Sequence, residues 1–265
     1  MFHVQDHTGK FFELKAPPQR IVSLVPSQTE LLYDLGLEEQ VVGITKFCIH
    51  PAHWFKSKQR IGGTKNVNIE VVRALQPDLV IANKEENAKE QINTIESFCP
   101  VYTTIVDSCP SALRMIRDLG IVTHANQKAE LLATQIESTL FSFQPIRRYR
   151  SLYLIWKDPY MSVGGDTFIS NMIKQGGFDN LLDHETRYPI LDTAKIKALN
   201  PELILLSSEP YPFKQKHIHE LAEICPKATT ILVDGEMFSW YGSRMLLSAK
   251  YFESLQNKLI GIHVH

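Results

Sequence analysis

Aromatic rings stand in this chain where short polar loop residues are usual. The segments Trp156-Lys157-Asp158-Pro159-Tyr160, Ser207-Ser208-Glu209-Pro210-Tyr211 and Asp234-Gly235-Glu236-Met237-Phe238-Ser239-Trp240-Tyr241 mix turn formers with Trp and Tyr. Flat rings with a polar edge make platforms for a broad, largely apolar ligand. Some of these rings could instead close the end of a sheet as core. That alternative stays open for Phe213 and Phe238, and is weaker for Trp156 and Trp240, whose indole N–H needs a partner.

Other chemistries find less support. There is no G-x-S-x-G elbow, no Walker loop and no dinucleotide glycine fingerprint, so no catalytic residue is expected. Gly62-Gly63-Thr64-Lys65 lacks phosphate-loop spacing and reads as a tight turn. Gly164-Gly165-Asp166-Thr167 precedes a helix, where it could accept an anion or simply cap the helix through Asp166 or Thr167. Cys48, His50 and His53 hold ligand-capable atoms, but Pro51 interrupts them and no second pair matches, so no metal is expected. His217 and His219 read as solvated surface histidines. Glu85, Glu86 and Glu209 fall in corresponding loops. They fit paired acids and bases, docking carboxylates for a partner, or plain charged loop tips.

The elements that must position these residues come from a repeat. Residues 74–86 read ALQPDLVIANKEE and residues 198–210 read ALNPELILLSSEP. In each, a helix is broken by proline (Pro77, Pro201) and an unalternating apolar run follows, as in strands buried on both faces. Strands are expected at residues 20–25, 101–106, 151–155 and 230–233. Pro26-Ser27-Gln28-Thr29-Glu30 is expected to lead into a helix ending near Gly36 with Thr29 as cap, and a second helix is expected from about Phe168 to Gln175 with Gly176-Gly177 as stop. The strand and helix alternation predicts α/β lobes with mainly parallel sheets. A helix from 127 to about 143, capped by Asn126, puts Ala129, Leu132, Ile136, Leu140 and Phe143 on one face. It suits a strut joining two lobes or a packing helix inside one domain.

The 265 residues carry a formal net charge of -1, with 44% hydrophobic and 22% charged residues. That balance excludes a disordered or coiled-coil chain and argues against nucleic acid as a partner. Four dispersed cysteines (Cys48, Cys99, Cys109, Cys225) read as free thiols.

The residues also resemble a known family. RIVSLVPSQTELLYDLG, VVGIT, IGGTKNVNIE and LQPDLVIANKEEN are similar to the first lobe of the helical-backbone (class III) substrate-binding proteins of ABC importers. WKDPYMSVGGDTFISNMIKQGG, RYPIL, LNPELILLSSEPYPF and DGEMFSWYGSR are similar to the second. Within that group the chain resembles periplasmic cobalamin-binding proteins and their siderophore-binding relatives. The resemblance implies two three-layer α/β lobes, at residues 1–125 and 146–265. A connecting helix at 126–145 joins them, with a ligand cleft between the lobes. It implies binding of a corrinoid or other large metal chelate, with no enzyme activity and no resident cofactor. The alternatives are a ferric-siderophore or haem binder, or an intracellular cofactor-handling enzyme on the same fold. Ligand contacts are expected at Phe47, His50, Asn83, Trp156, Tyr160, Arg187, Tyr188, Glu236, Trp240, Tyr241 and Arg244. Family members dock a permease through one glutamate per lobe. The matching positions are Lys89 and about Ile196, so Glu86, Glu90 and Glu209 are the expected docking residues. A monomer is expected. The resemblance implies the periplasm, whereas residues 1–20 show no signal peptide and point to the cytoplasm.

Overall fold

Proline ends both helices of the repeat in the same way. The computed structural model describes residues 2–263. The helix Ile69–Ala74 stops before Pro77, and Thr193–Leu199 stops before Pro201. Right-handed helical geometry is disfavoured for the residue preceding a proline. Gln76 and Asn200 end these helices with positive φ, 47° and 46°. The strands that follow, Leu79–Asn83 and Leu203–Ser207, are buried at every residue.

The repeat extends to its polar clamps. Asp78 accepts the backbone N–H of Gln19 (2.7 Å) and Arg20 (2.9 Å), and the Arg20 guanidinium donates to the Leu75 carbonyl at the helix end. Glu202 accepts the N–H of Arg150 (2.9 Å), whose guanidinium reaches the carbonyls of Leu199 and Asn200. Each acidic residue thus ties the end of a helix to the start of a neighbouring strand.

The chain divides into two units. The first comprises residues 1–106, 110–135 and 241–244; the second comprises residues 107–109, 136–240 and 245–265. In the first unit five parallel strands lie in the order Gln59–Arg60, Val41–Ile44, Ile21–Ser23, Leu79–Asn83, Val101–Thr104. An antiparallel hairpin, Phe2–Gln5 with Phe11–Leu14, precedes them. In the second unit four parallel strands lie in the order Phe178–Asn180, Tyr149–Leu154, Leu203–Ser207, Thr229–Val233. A two-stranded pair, Tyr160–Met161 with Ile190–Leu191, accompanies them. The α/β class with mainly parallel sheets is the one expected.

Several local expectations change. The first helix spans Pro26–Asp34 with Val25 as its N-cap and proline in the first turn. Thr29 lies inside it, its hydroxyl donating to the Val25 carbonyl at 2.9 Å, so it is not the cap. The helix Asn126–Leu140 ends before Phe143, where the Ser142 hydroxyl takes up the Ser138 carbonyl and Pro145 follows. Thr167, not Asp166, caps Phe168–Gln175 by accepting the Ser170 N–H. The Asp166 carboxylate instead holds the N–H of Arg187 at 2.6 Å. Gly62 adopts φ 98° in a turn closed by Gly63 and Asn66, as the turn reading requires. All four cysteines are free and buried.

Candidate functional site

Each parallel sheet has a switch point, where successive connections leave one strand in opposite directions. Open α/β sheets present ligand sites beyond the carboxyl ends of their strands at that point. In the first unit the switch strand is Ile21–Ser23, flanked by Val41–Ile44 and Leu79–Asn83. In the second it is Tyr149–Leu154, flanked by Phe178–Asn180 and Leu203–Ser207.

Trp156 lies two residues beyond the end of the switch strand of the second unit. It remains 40% exposed, although it is among the largest side chains in the chain. A hairpin fixes its backbone, with Ile155 donating to the Met161 carbonyl and Met161 to that of Trp156. Its ring meets the edge of Tyr211, with centroids 5.6 Å apart and planes at 66°. Tyr160 and Tyr211 pack against the core cluster that contains Leu154 and Phe213. Strand pairing sets Leu191 opposite Tyr160, and the Pro189 carbonyl accepts the Ser162 N–H. This brings the segment holding Arg187 and Tyr188 alongside the Tyr160 strand. The Arg187 guanidinium lies 5.6 Å from the Tyr188 ring centroid, and Tyr188 and Ile190 are exposed. The result is a partly exposed aromatic surface of Trp156, Tyr160 and Tyr211, with Arg187 and Tyr188 on the adjoining segment.

Other expected contacts of this unit turn inward. Trp240 is buried, and its indole N–H donates to Glu209 at 2.9 Å. The same carboxylate accepts the Ser239 hydroxyl at 2.5 Å. Burial, with Glu236 and Asp234 nearby, pushes the Glu209 carboxyl above its usual range despite those two hydrogen bonds. Glu209 is therefore a structural carboxylate and not a free docking knob. Glu236 begins the short helix Glu236–Ser239, half-buried beside it. Phe213 and Phe238 are core.

In the first unit Phe47 is half exposed after the strand Val41–Ile44, with Lys46 over its ring. His50, three residues on, is half-buried. Asn83 is buried, and its side chain shapes the loop: the carbonyl accepts the N–H of Glu85 and Glu86 while the amide donates to Thr104. It also borders a cavity of about 540 Å³ with Lys84, Asn87 and Lys89. Glu86 is half-buried and Glu90 is exposed in the first turn of Lys89–Glu96. Tyr241 is buried, and Arg244 is bound to Glu30. Ile196, the second matching docking position, is wholly buried in the other unit's core.

Cys48 is an inert thiol. It is fully buried against the hydroxyls of Thr29 and Thr45, and burial pushes it above the usual range. His53 pairs with Glu38 at 3.4 Å, and no group of His, Cys, Asp and Glu able to hold a metal occurs among the described residues.

Two features were not legible. Tyr211, in one of the aromatic loops, joins the expected contacts as the ring that braces Trp156. His217, expected at the surface, is only 1% exposed. It caps the helix Gln215–Ile224 by accepting the Lys214 N–H at 2.8 Å and shares the buried face with Leu221. The four-residue spacing of His217 and Leu221 is the signal that marks it.

The pattern of the periplasmic binding proteins matches residues 21–223. The chain belongs to that family. This periplasmic binding protein is a substrate-binding component of transport and not an enzyme. It is 28% identical over 215 residues to an uncharacterized ABC transporter substrate-binding lipoprotein, YvrC, of Bacillus subtilis, covering 76% of this chain and 68% of the relative. It is 23% identical to the vitamin B12-binding protein of Pectobacterium carotovorum, covering 89% and 87%. Its fold matches the periplasmic heme-binding protein RhuT of Roseiflexus with a TM-score of 0.75 at 23% identity, over 90% of this chain and 96% of that one. No helix among the described residues is long and apolar enough to cross a membrane.

Proposed function

We propose that this periplasmic binding protein captures a large, flat metal chelate of the corrinoid or tetrapyrrole class and delivers it to an ABC-importer permease. The observation that carries the reading is Trp156, left 40% exposed at the switch point of its sheet and braced edge-on by Tyr211. An indole left partly exposed at a sheet switch point, braced by a second ring, is an apolar surface suited to a ligand. Tyr160 and Tyr188 extend the apolar surface, and Arg187 supplies a cation for an acidic edge of the ligand. A relative that binds vitamin B12 and a fold neighbour that binds heme support this class of ligand. The protein works as a monomer outside the inner membrane, with Glu86 and Glu90 facing the permease.

Absorbance titration with cobalamin, haem and a ferric siderophore tests the reading. A saturable spectral change at micromolar ligand is expected with cobalamin or haem. A response to the siderophore alone moves the assignment to that alternative. No change with any of the three removes it.

A further inference from the structure

We propose that His217 is a positioning residue for Trp156, and that the aromatic surface it supports loosens when its imidazole takes up a proton. The inference rests on the reading of Trp156 as a ligand contact. His217 is enclosed by the rings of Tyr211 and Phe213, at centroid distances of 5.5 and 5.3 Å. Its Nδ1 accepts the Lys214 N–H at 2.8 Å. That bond fixes the tautomer: the neutral ring carries its proton on Nε2, which lies 3.4 Å from the Tyr211 hydroxyl. Tyr211 in turn meets Trp156 edge-on. A chain of contacts thus runs from the Lys214 backbone through His217 and Tyr211 to the exposed indole.

A second proton can go only to Nδ1, where it would point at the Lys214 N–H. Two donors would then face each other, and the helix cap would be lost. The charged groups around the ring pull both ways. Glu220 on the same helix favours the imidazolium, while Lys157, from the Trp156 hairpin, and Lys216 oppose it. Glu220 is already paired with Lys157. Burial dominates and holds the imidazole below the ordinary histidine range. The ring is therefore neutral near pH 7, and the contacts break only in acid, below the ordinary histidine range.

Acrylamide quenching of tryptophan fluorescence tests this on the intact chain without ligand. Trp54 and Trp240 are 0% and 7% exposed, so collisional quenching reads Trp156. The wild-type quenching constant should rise about twofold from about pH 7.5 to about pH 5, with far-ultraviolet circular dichroism unchanged. In His217→Asn the amide oxygen replaces Nδ1 as cap acceptor but does not titrate, and quenching should be independent of pH. Tyr211→Phe, which keeps the ring and loses the hydroxyl, should raise quenching at pH 7.5 and flatten its pH response. Wild-type quenching that ignores pH, or an Asn or Phe variant that follows the wild-type profile, overturns the proposal. A pH response in a protein that binds none of the three chelates leaves the positioning role standing and removes the ligand assignment.

Discussion

Arg244 grips Glu30 with both arms of its guanidinium, Nη2 to Oε1 at 2.5 Å and Nε to Oε2 at 2.8 Å. The two side chains are 9% and 16% exposed, and 214 residues separate them along the chain. A bidentate pair this sheltered needs both partners, because removing one leaves the other charge buried. Asp34, one turn along the same helix, is already pushed up by burial and, after a hydrogen bond to Ser243 lowers it, by the charge of Glu30. Arg244→Met should lower unfolding free energy by about 3 kcal/mol in denaturant titration, and Glu30→Met with Arg244→Met should recover most of that loss. A single variant as stable as wild type would contradict this account.

The clamp of the repeat is a second target. Asp78→Ala removes the acceptor for two backbone N–H groups and should cost about 1 to 2 kcal/mol. Glu202→Ala should cost less, since its one backbone bond is accompanied only by an exposed ion pair with Arg147. Urea unfolding of the two variants compares them, and the reverse order would show that the acceptor count does not set the cost.

Acid sensitivity should follow Asp118. Burial pushes its carboxyl up, but hydrogen bonds and charge from His7 and then Arg114 outweigh this and hold it below the usual range. The His7 Nε2 lies 3.0 Å from Asp118, and the Ile105 N–H donates to His7 Nδ1. A lowered carboxyl stabilises the fold above its unfolded value of about 3.9, and that stabilisation is lost as the pH falls through the folded value. Asp118→Asn should therefore be less stable than wild type at pH 6, with the gap closing toward pH 2. Thermal melts across that range measure the gap, and one that stays constant would exclude Asp118 as its source.

Trp156→Ala should separate binding from folding. Its ring is 40% exposed, so the melting temperature should stay within a few degrees. Affinity for the chelate found in the absorbance titration should fall on the order of 10- to 100-fold, as for an aromatic anchor. Affinity retained within about twofold would place the ligand elsewhere.

Much of the architecture was legible along the chain. Pro77 and Pro201 announce helix ends, and the runs Leu79–Ala82 and Leu203–Leu206 announce buried strands. These signals are local: a missing N–H, a restricted φ and the absence of alternation act within a few residues. The helix Phe168–Gln175 has local signals of the same kind, Thr167 before it and Gly176-Gly177 after it.

The roles of the polar side chains were a different matter. Glu209 looked like a loop tip until its carboxylate met Trp240 and Ser239, and Arg244 looked like a ligand anchor until it met Glu30. His217 looked solvated until Tyr211 and Phe213 closed over it. The sequence by itself determined the repeat, the α/β class and the aromatic loading of the loops, because each is written in neighbouring residues. Only the tertiary structure decided which of those polar and aromatic groups are consumed within the fold and which, like Trp156, stay exposed. The partners that consume them lie up to 214 residues away, and a buried polar group is defined by the partner that satisfies it.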